Sequence, residues 1–301
     1  MGGKCKKERN WKKINEKYVK EGMLIFDKKA LKGWVKKRKP LNRKKVGAPF
    51  VYPKEFVMYA GVLQALFHLH YRQTQGLISQ LGKLVRIPSI PDYSTLFRRI
   101  NKLEWKIEDN LVNSKEPCVI ALDASGIKVN NYFEWMRHKW RKRRGFVKIH
   151  VAVDTKTKEV LSLEVTDEKV VDHHKFKKLV RNSKKIRDIK QAQADGAYDV
   201  NEYFDYLAKH KIEPAIRLRG NACIRSSSSW LRKKEIRLRN QLGGQEAWRD
   251  KKGYGKRWSS EGVFSSFKRR FGEYVNCRLF GNMVNEIKRK FWVYNLLINM
   301  C

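Results

Sequence analysis

What this chain lacks most is negative charge. Its 301 residues carry 30 Asp and Glu against 68 Lys and Arg, a formal net charge of +38. A compact chain with that imbalance repels itself unless an anionic partner neutralises it. Nucleic acid is the leading partner and an anionic membrane surface the second. Long apolar runs are also missing. None approaches the length of a bilayer-spanning helix, which argues against an integral membrane protein. The Lys-rich first residues have no apolar segment of the kind an export signal carries. Cysteine is sparse and dispersed: Cys5, Cys118, Cys223, Cys277 and Cys301. No two are spaced as a zinc pair, and an odd set without an export signal reads as reduced cytosolic thiols. Hydrophobic residues at 42% are ample for a core, and the length suits two domains.

Residues 1–48 hold 18 Lys or Arg and 4 acids, interrupted by Trp11, Ile14, Tyr18, Leu24, Phe26, Leu31 and Trp34. Short helices laid along DNA, an arm that orders on it, and a solvated basic tail all fit this block. Residues 49–115 read as helical. Pro53 suits a first helical position, with Glu55 in the first turn. Phe56, Tyr59, Ala60, Leu63, Leu66, Phe67 and His70 then mark a buried face. Thr74 is expected to cap a second helix through Leu77, Ile78, Leu81 and Val85. The prolines Pro88 and Pro91 stop it. Asp92 or Ser94 starts a third, with Leu96, Phe97 and Ile100 inward and Arg98, Arg99 and Lys102 on the other side. Two helices, a break and a basic third helix fit a DNA-binding helix-turn-helix, and also any small helical bundle.

Beyond Pro117 the period changes from helical to strand-like, so the second domain is set at 116–301. Cys118 to Asp123 is an apolar run ending in an acid, the way a buried strand delivers a side chain to a sheet edge. Residues 136–148 hold seven Lys or Arg and no acid, beside Trp135 and Trp140. This is either a phosphate-tracking surface with stacking platforms or a solvated loop over core tryptophans. Residues 146–154 and 160–166 form a hairpin around a turn opened by Asp154. Asp172 is expected to cap a helix through Phe176 and Val180. Residues 186–195 make a strand that again ends in an acid, Asp195, before Gly196. A helix from Asn201 and a strand from Ile212 follow. Residues 219–256 are a long insertion: from Arg217 to Arg257 there are 13 basic residues and 3 acids. Connections this long are functional or disordered; the part from Trp230 has helical character. Residues 284–298 close the chain as an amphipathic helix.

Between insertion and closing helix lies Tyr254-Gly-Lys-Arg257-Trp-Ser-Ser-Glu261-Gly-Val-Phe-Ser-Ser-Phe-Lys268. Ser259 or Ser260 can cap a helix whose apolar face is Val263, Phe264, Phe267 and Phe271. Glu261 and Lys268, two turns apart, leave on one side. An acid in the first turn beside Arg, Lys and Tyr can hold a divalent metal while the cations and phenol hold a phosphate. The plain alternative is a solvated helix with an i,i+4 ion pair. Asp123, Asp195 and Glu261 are 72 and 66 residues apart, so only the fold can bring them together.

In this order the three acids resemble those of the DDE transposases of bacterial and archaeal insertion sequences. The stretch matches the Tyr-x2-Arg-x3-Glu-x6-Lys signature of one branch as Tyr254, Arg257, Glu261 and Lys268. The resemblance covers about 118–300, and residues 50–105 resemble the N-terminal domain of the same family. It implies an α/β catalytic domain with a ribonuclease H-like mixed sheet flanked by helices, behind a helical DNA-binding or dimerisation domain. It implies that Asp123, Asp195 and Glu261 bind two Mg²⁺ or Mn²⁺ ions, and that Tyr254, Arg257 and Lys268 hold DNA phosphates. Trp230, Trp248 or Trp258 would stack on a displaced base. The expected activity is DNA strand cleavage and strand transfer at terminal inverted repeats into target DNA. A homodimer would pair the ends, in the prokaryotic cytoplasm on the nucleoid. A catalytically silent DNA-binding descendant, a structure-selective nuclease on the same fold and a basic RNA-binding protein are the alternatives.

Overall fold

A computed structural model of the chain describes residues 10–114, 116–129 and 145–300. The tryptophan-flanked basic segment expected at 136–148 lies outside the described residues up to residue 144. The chain divides into two compact units, one of Met1–Glu104 with Leu296–Cys301 and one of Trp105–Asn295.

The first unit is helical. The basic block forms α1 (Trp11–Met23), α2 (Lys28–Leu31) and α3 (Trp34–Asn42). Asn10 caps α1 by accepting the Lys13 N–H, and no residue of α1 is buried. Trp34 anchors the block: its indole N–H donates to the Val51 carbonyl and its ring tilts against Phe56. Helices α4 (Lys54–Leu66), α5 (Tyr71–Val85) and α6 (Tyr93–Lys102) pack on one another. Two expectations are corrected. Helix α5 starts at Tyr71, with His70 rather than Thr74 at its cap. The His70 N–H donates to Gln73, and Thr74 lies buried in the first turn with its hydroxyl on the His70 carbonyl. Arg99 is not part of a free basic face: it lies over the Phe50 ring and donates to the Tyr52 carbonyl. Asp92 caps α6 as expected, accepting the Thr95 N–H.

The second unit is built on a mixed six-stranded sheet. Strands β1 (Cys118–Val129), β2 (Phe146–Asp154) and β3 (Val160–Asp167) are antiparallel neighbours. Strands β4 (Ile189–Ala194) and β5 (Glu213–Ile216) continue the other side of β1 in parallel, giving the order β3-β2-β1-β4-β5. A two-residue strand, β6 (Tyr274–Val275), pairs with the far end of β1. Helix α7 (Phe176–Lys184) connects β3 to β4, and α8 (Asn201–Lys209) connects β4 to β5. The even-numbered residues Ile120 and Leu122 of β1 join Phe176, Leu179, Phe204 and Leu207 in the main core. The opposite face is covered by α11 (Trp258–Phe271), on which α12 (Phe280–Ile298) packs with Phe291 stacked against Phe267 at 4.0 Å. Helices on both faces of this mixed sheet make the ribonuclease H-like architecture expected from the sequence. The insertion is ordered rather than loop-like: α9 (Trp230–Gln241) and α10 (Gln245–Lys251) occupy most of it.

Asp172 does not cap an α-helix directly. A 3-10 turn over Asp172–Lys175 intervenes, and α7 begins at Phe176. The hairpin turn carries more than turn chemistry. Asp154 caps the turn through the Lys156 N–H, and its second oxygen takes Arg187 at 2.8 Å. Arg187 also reaches Glu159 at 2.6 Å, and all three side chains are buried.

Candidate active site

Asp123 does not end its strand, contrary to the sequence expectation. The small residues Ala124, Ser125 and Gly126 keep β1 paired with β2 as far as Lys128. On the other edge the ladder behaves differently. Pairing with β4 runs only from Cys118 to Ala121, and pairing with β6 begins only at Lys128. Asp123 lies in the interval. The last β1–β4 pair is Ala121 with Gln193. Asp123 and Asp195 each follow it by two residues, Asp195 one residue beyond the end of β4, so the register gives them matching positions where the two parallel strands part. Asp195 leaves β4 in an extended conformation and caps the turn Gly196–Tyr198 by accepting the Ala197 N–H at 2.9 Å.

Helix α11 delivers the rest. A 3-10 turn over Tyr254–Arg257 runs straight into it, so the helix starts at Trp258 and neither serine caps it. Both lie buried in its first turn instead. Ser260 donates to the Asp123 carboxylate at 3.1 Å and to the Arg257 carbonyl at 2.9 Å. Ser259 bonds the hairpin turn through the Thr155 carbonyl and Lys158. The Arg257 guanidinium spans two acids, 2.6 Å from Glu261 and 3.5 Å from Asp123. Tyr254 is 4% exposed, and its hydroxyl donates to the Ala194 carbonyl, directly before Asp195. That phenol therefore ties the end of β4 to the start of the signature stretch and is turned away from solvent.

Two buried glutamines reinforce the tie. Gln191 donates to the Lys252 carbonyl and Gln193 to the Gly253 carbonyl and to Gln191. Gly253 has φ +59, a conformation that suits glycine, and it turns the insertion into the signature stretch. Gln191 and Gln193 were not singled out from the sequence, and Ser260 was read only as a helix cap. Ser260 sits one turn past Arg257 inside the signature, the one positional hint available. Nothing in the β4 sequence marks its glutamines as inward clasps.

Burial pushes the Asp123 carboxyl above its ordinary range. The Ala124 N–H, Arg257 and Ser260 pull it back, while the charge of Asp195 adds to the rise. Burial works against the charge of Arg257, yet Tyr254, Asp123 and Glu261 hold its pKa above the usual value. Beneath the acids, Tyr198 is 1% exposed. Its hydroxyl has no hydrogen-bond partner among the described residues. Burial and the nearby Asp123 and Asp195 push its pKa well up.

The remaining expected residues separate. Lys268 lies on α11 two turns beyond Glu261, partly buried and in no ion pair among the described residues. Trp230 and Trp258 are 64% and 62% exposed, open to a ligand. Trp248 is not: it is fully buried against Tyr254 and Ala215, and its indole N–H donates to the buried Glu235 at 2.9 Å. A base has no access to it, which corrects the expectation of stacking there.

The model of a family described as "Transposase DDE domain" matches residues 114–296, and a second model with the same description matches residues 19–132. The chain belongs to the DDE transposases. Solved structures with some likeness include an intasome of simian T-cell lymphotropic virus in complex with PP2A regulatory subunit B56 gamma (12% identity, TM-score 0.32). The match covers 78% of this chain, which spans 65% of that one. Others are the piggyBac transposase synaptic complex with hairpin DNA (11% identity, 94% and 74% coverage, TM-score 0.42) and the Drosophila P element transposase strand transfer complex (10%, 94% and 70%, 0.35). The family assignment rests on the matched domain.

DDE transposases work with divalent metal ions, and the donors here suit one. Asp123, Asp195 and Glu261 offer oxygen only, the choice of a hard cation such as Mg²⁺. Among the described residues no three His, Cys, Asp or Glu side chains already form a metal cluster. Arg257 instead provides the positive charge between Asp123 and Glu261. No helix among the described residues is long and apolar enough to cross a membrane.

Proposed function

We propose that this DDE transposase binds the double-stranded ends of an insertion sequence, cleaves a DNA strand there, and joins the freed end to target DNA. The observation that carries the proposal is the matching register of Asp123 in β1 and Asp195 just past the end of β4, with Arg257 linking Asp123 to Glu261. Brought together, three acids scattered through the chain would need a cationic partner. Asp123, Asp195 and Glu261 would hold two Mg²⁺ or Mn²⁺ ions. When bound, such ions would lower the pKa of water and offset the charge that builds up during an in-line displacement at phosphorus.

The chain's own residues orient that chemistry. Ser260 fixes one oxygen of Asp123, the Ala197 N–H fixes one of Asp195, and Tyr254 fixes the end of β4. Arg257 and Lys268 would take phosphate oxygens of the strand being cut, Arg257 exchanging its carboxylate partners for the substrate. Water oxygen attacks phosphorus and the 3′ oxygen leaves, giving a 3′-OH. That hydroxyl then attacks a target phosphodiester, one P–O bond forming as another breaks. Trp230 or Trp258 would stack on an unpaired base. A homodimer would bring two ends together.

The test is incubation of the purified protein with duplex DNA carrying the inverted repeats that flank its reading frame, with and without Mg²⁺ or Mn²⁺. The expected result is metal-dependent nicks at the repeat boundary and joined products. Tight binding without cleavage would mark a silent descendant, and cleavage that ignores the repeats and joins nothing would mark a nuclease.

A further inference from the structure

The cations of α9 fall into two sets, and only one has work inside the protein. Arg232 grips both oxygens of Asp199 at 2.7 and 3.0 Å. Arg239 donates to the Arg219 and Ala222 carbonyls, and Lys233 to the Ser226 carbonyl. These hold the helix in place. Lys234 and Arg237 face solvent and make no ion pair or hydrogen bond among the described residues. With Trp230 and Gln241 they recur at spacings of four, three and four, which sets all four exposed side chains on one stripe.

The helix has one acid, Glu235, and it points the other way. Its carboxylate is 2% exposed, accepting from Trp248 and paired with Lys252 at 2.8 Å. The outward stripe therefore carries positive charge with nothing negative on the same helix face to offset it. A solvated stripe alone explains the two cations but not a tryptophan left 64% exposed beside them. An aromatic plane flanked by Lys and Arg fits a nucleic-acid backbone, with the ring against sugar or base and the cations on phosphates.

The anchoring selects the occupant. Arg232 holds Asp199, four residues past Asp195. Arg219, at the root of the insertion, gives its N–H to Asp199 and its side chain to the Gly196 carbonyl. The stripe is thus rigidly tied to the turn that Asp195 caps, and a polymer seated on it is presented to that acid. We infer that the outward stripe of α9 (Trp230, Lys234, Arg237 and Gln241) is a duplex-DNA contact surface that grips the backbone beside the cleavage site. The inference rests on the DNA-cleaving reading above and adds the surface that holds the substrate against it.

The test is equilibrium binding of duplex DNA over a salt series by the wild type, by Lys234→Ala/Arg237→Ala, and by a control. The control is Lys184→Ala/Lys185→Ala, at the end of α7 near the opposite end of β4. The phosphate contribution does not depend on sequence, so any duplex serves. Losing two phosphate contacts lowers the magnitude of the salt slope by about 1.8 and weakens binding most at low salt. The control pair should leave slope and affinity unchanged, and thermal melts should match for all three proteins. A stripe variant with the wild-type slope and affinity, or a control that falls as far, overturns the inference and leaves the transposase reading standing. Absence of DNA binding by the wild type itself would overturn both.

Discussion

The hydroxyl of Tyr254 donates to the main-chain carbonyl of Ala194 at 3.1 Å, and so joins the residue before Asp195 to the first residue of the Tyr-Arg-Glu-Lys signature. A buried phenol used this way is placed to position the site rather than to hold a phosphate. Tyr254→Phe should therefore leave DNA affinity unchanged, cost about 1 kcal/mol of stability, and slow cleavage at saturating DNA. A phosphate-holding tyrosine predicts the opposite pattern, weaker binding first. Binding and single-turnover cleavage on the same variant separate the two.

Gln193 makes the same connection one step earlier. Replacing it with Leu strands the Gly253 carbonyl and the Gln191 side chain in a dry interior, at a cost of about 1–3 kcal/mol. Urea titration should show the loss of stability. Cleavage should fall at temperatures where the variant is still fully folded, since the spacing between Asp195 and α11 is no longer held.

The tryptophans give a contrast. Trp248→Ala should destabilise the protein by about 3–5 kcal/mol, because it empties a fully buried site and leaves Glu235 without its indole donor. Trp230→Ala and Trp258→Ala should stay within about 0.5 kcal/mol of wild type and show their effect on DNA alone. Thermal melts of the three variants, paired with binding curves, check this.

Acid sensitivity has a specific source in α12. Burial alone would raise the Glu286 carboxyl, but Lys290 and Arg289 outweigh it and hold the pKa below the ordinary 4.5. Glu286 also accepts the N–H groups of Asn276 and Cys277. A pKa lower in the folded state means stability that is full above the unfolded value and lost as pH falls through the folded one. The wild type should weaken steadily below pH 4.5. Glu286→Gln, which leaves two buried cations unbalanced, should cost roughly 3–5 kcal/mol at neutral pH and respond much less to acid. Unfolding curves at pH 7 and pH 4 measure both.

Five strands were legible from runs of strand character bounded by acids, glycine and turn residues, while the two-residue β6 was not. The three-helix cluster was legible from apolar spacing, and Asp92 as a cap from its side-chain chemistry. The candidate acids stood out by type and order, not by any local sign of proximity. What escaped were contacts made across the chain. That β1 runs past Asp123 depends on β2 continuing to pair with Ala124, Ser125 and Gly126, a partnership no local pattern reveals. The serines of α11 look like caps until Asp123 and Thr155 are seen to claim them. Trp248 differs from Trp230 only in which side of the insertion faces the sheet.

The most direct test of the central claim is single-turnover cleavage of end-bearing DNA in Mn²⁺ by Asp123→Asn, Asp195→Asn and Glu261→Gln, each measured beside its DNA affinity. A shared metal site predicts that every variant binds DNA at least as well as the wild type. Each should cut more than about 100-fold more slowly, beyond the loss usual for residues that merely support metal ligands. Wild-type cleavage by Asp195→Asn would contradict it.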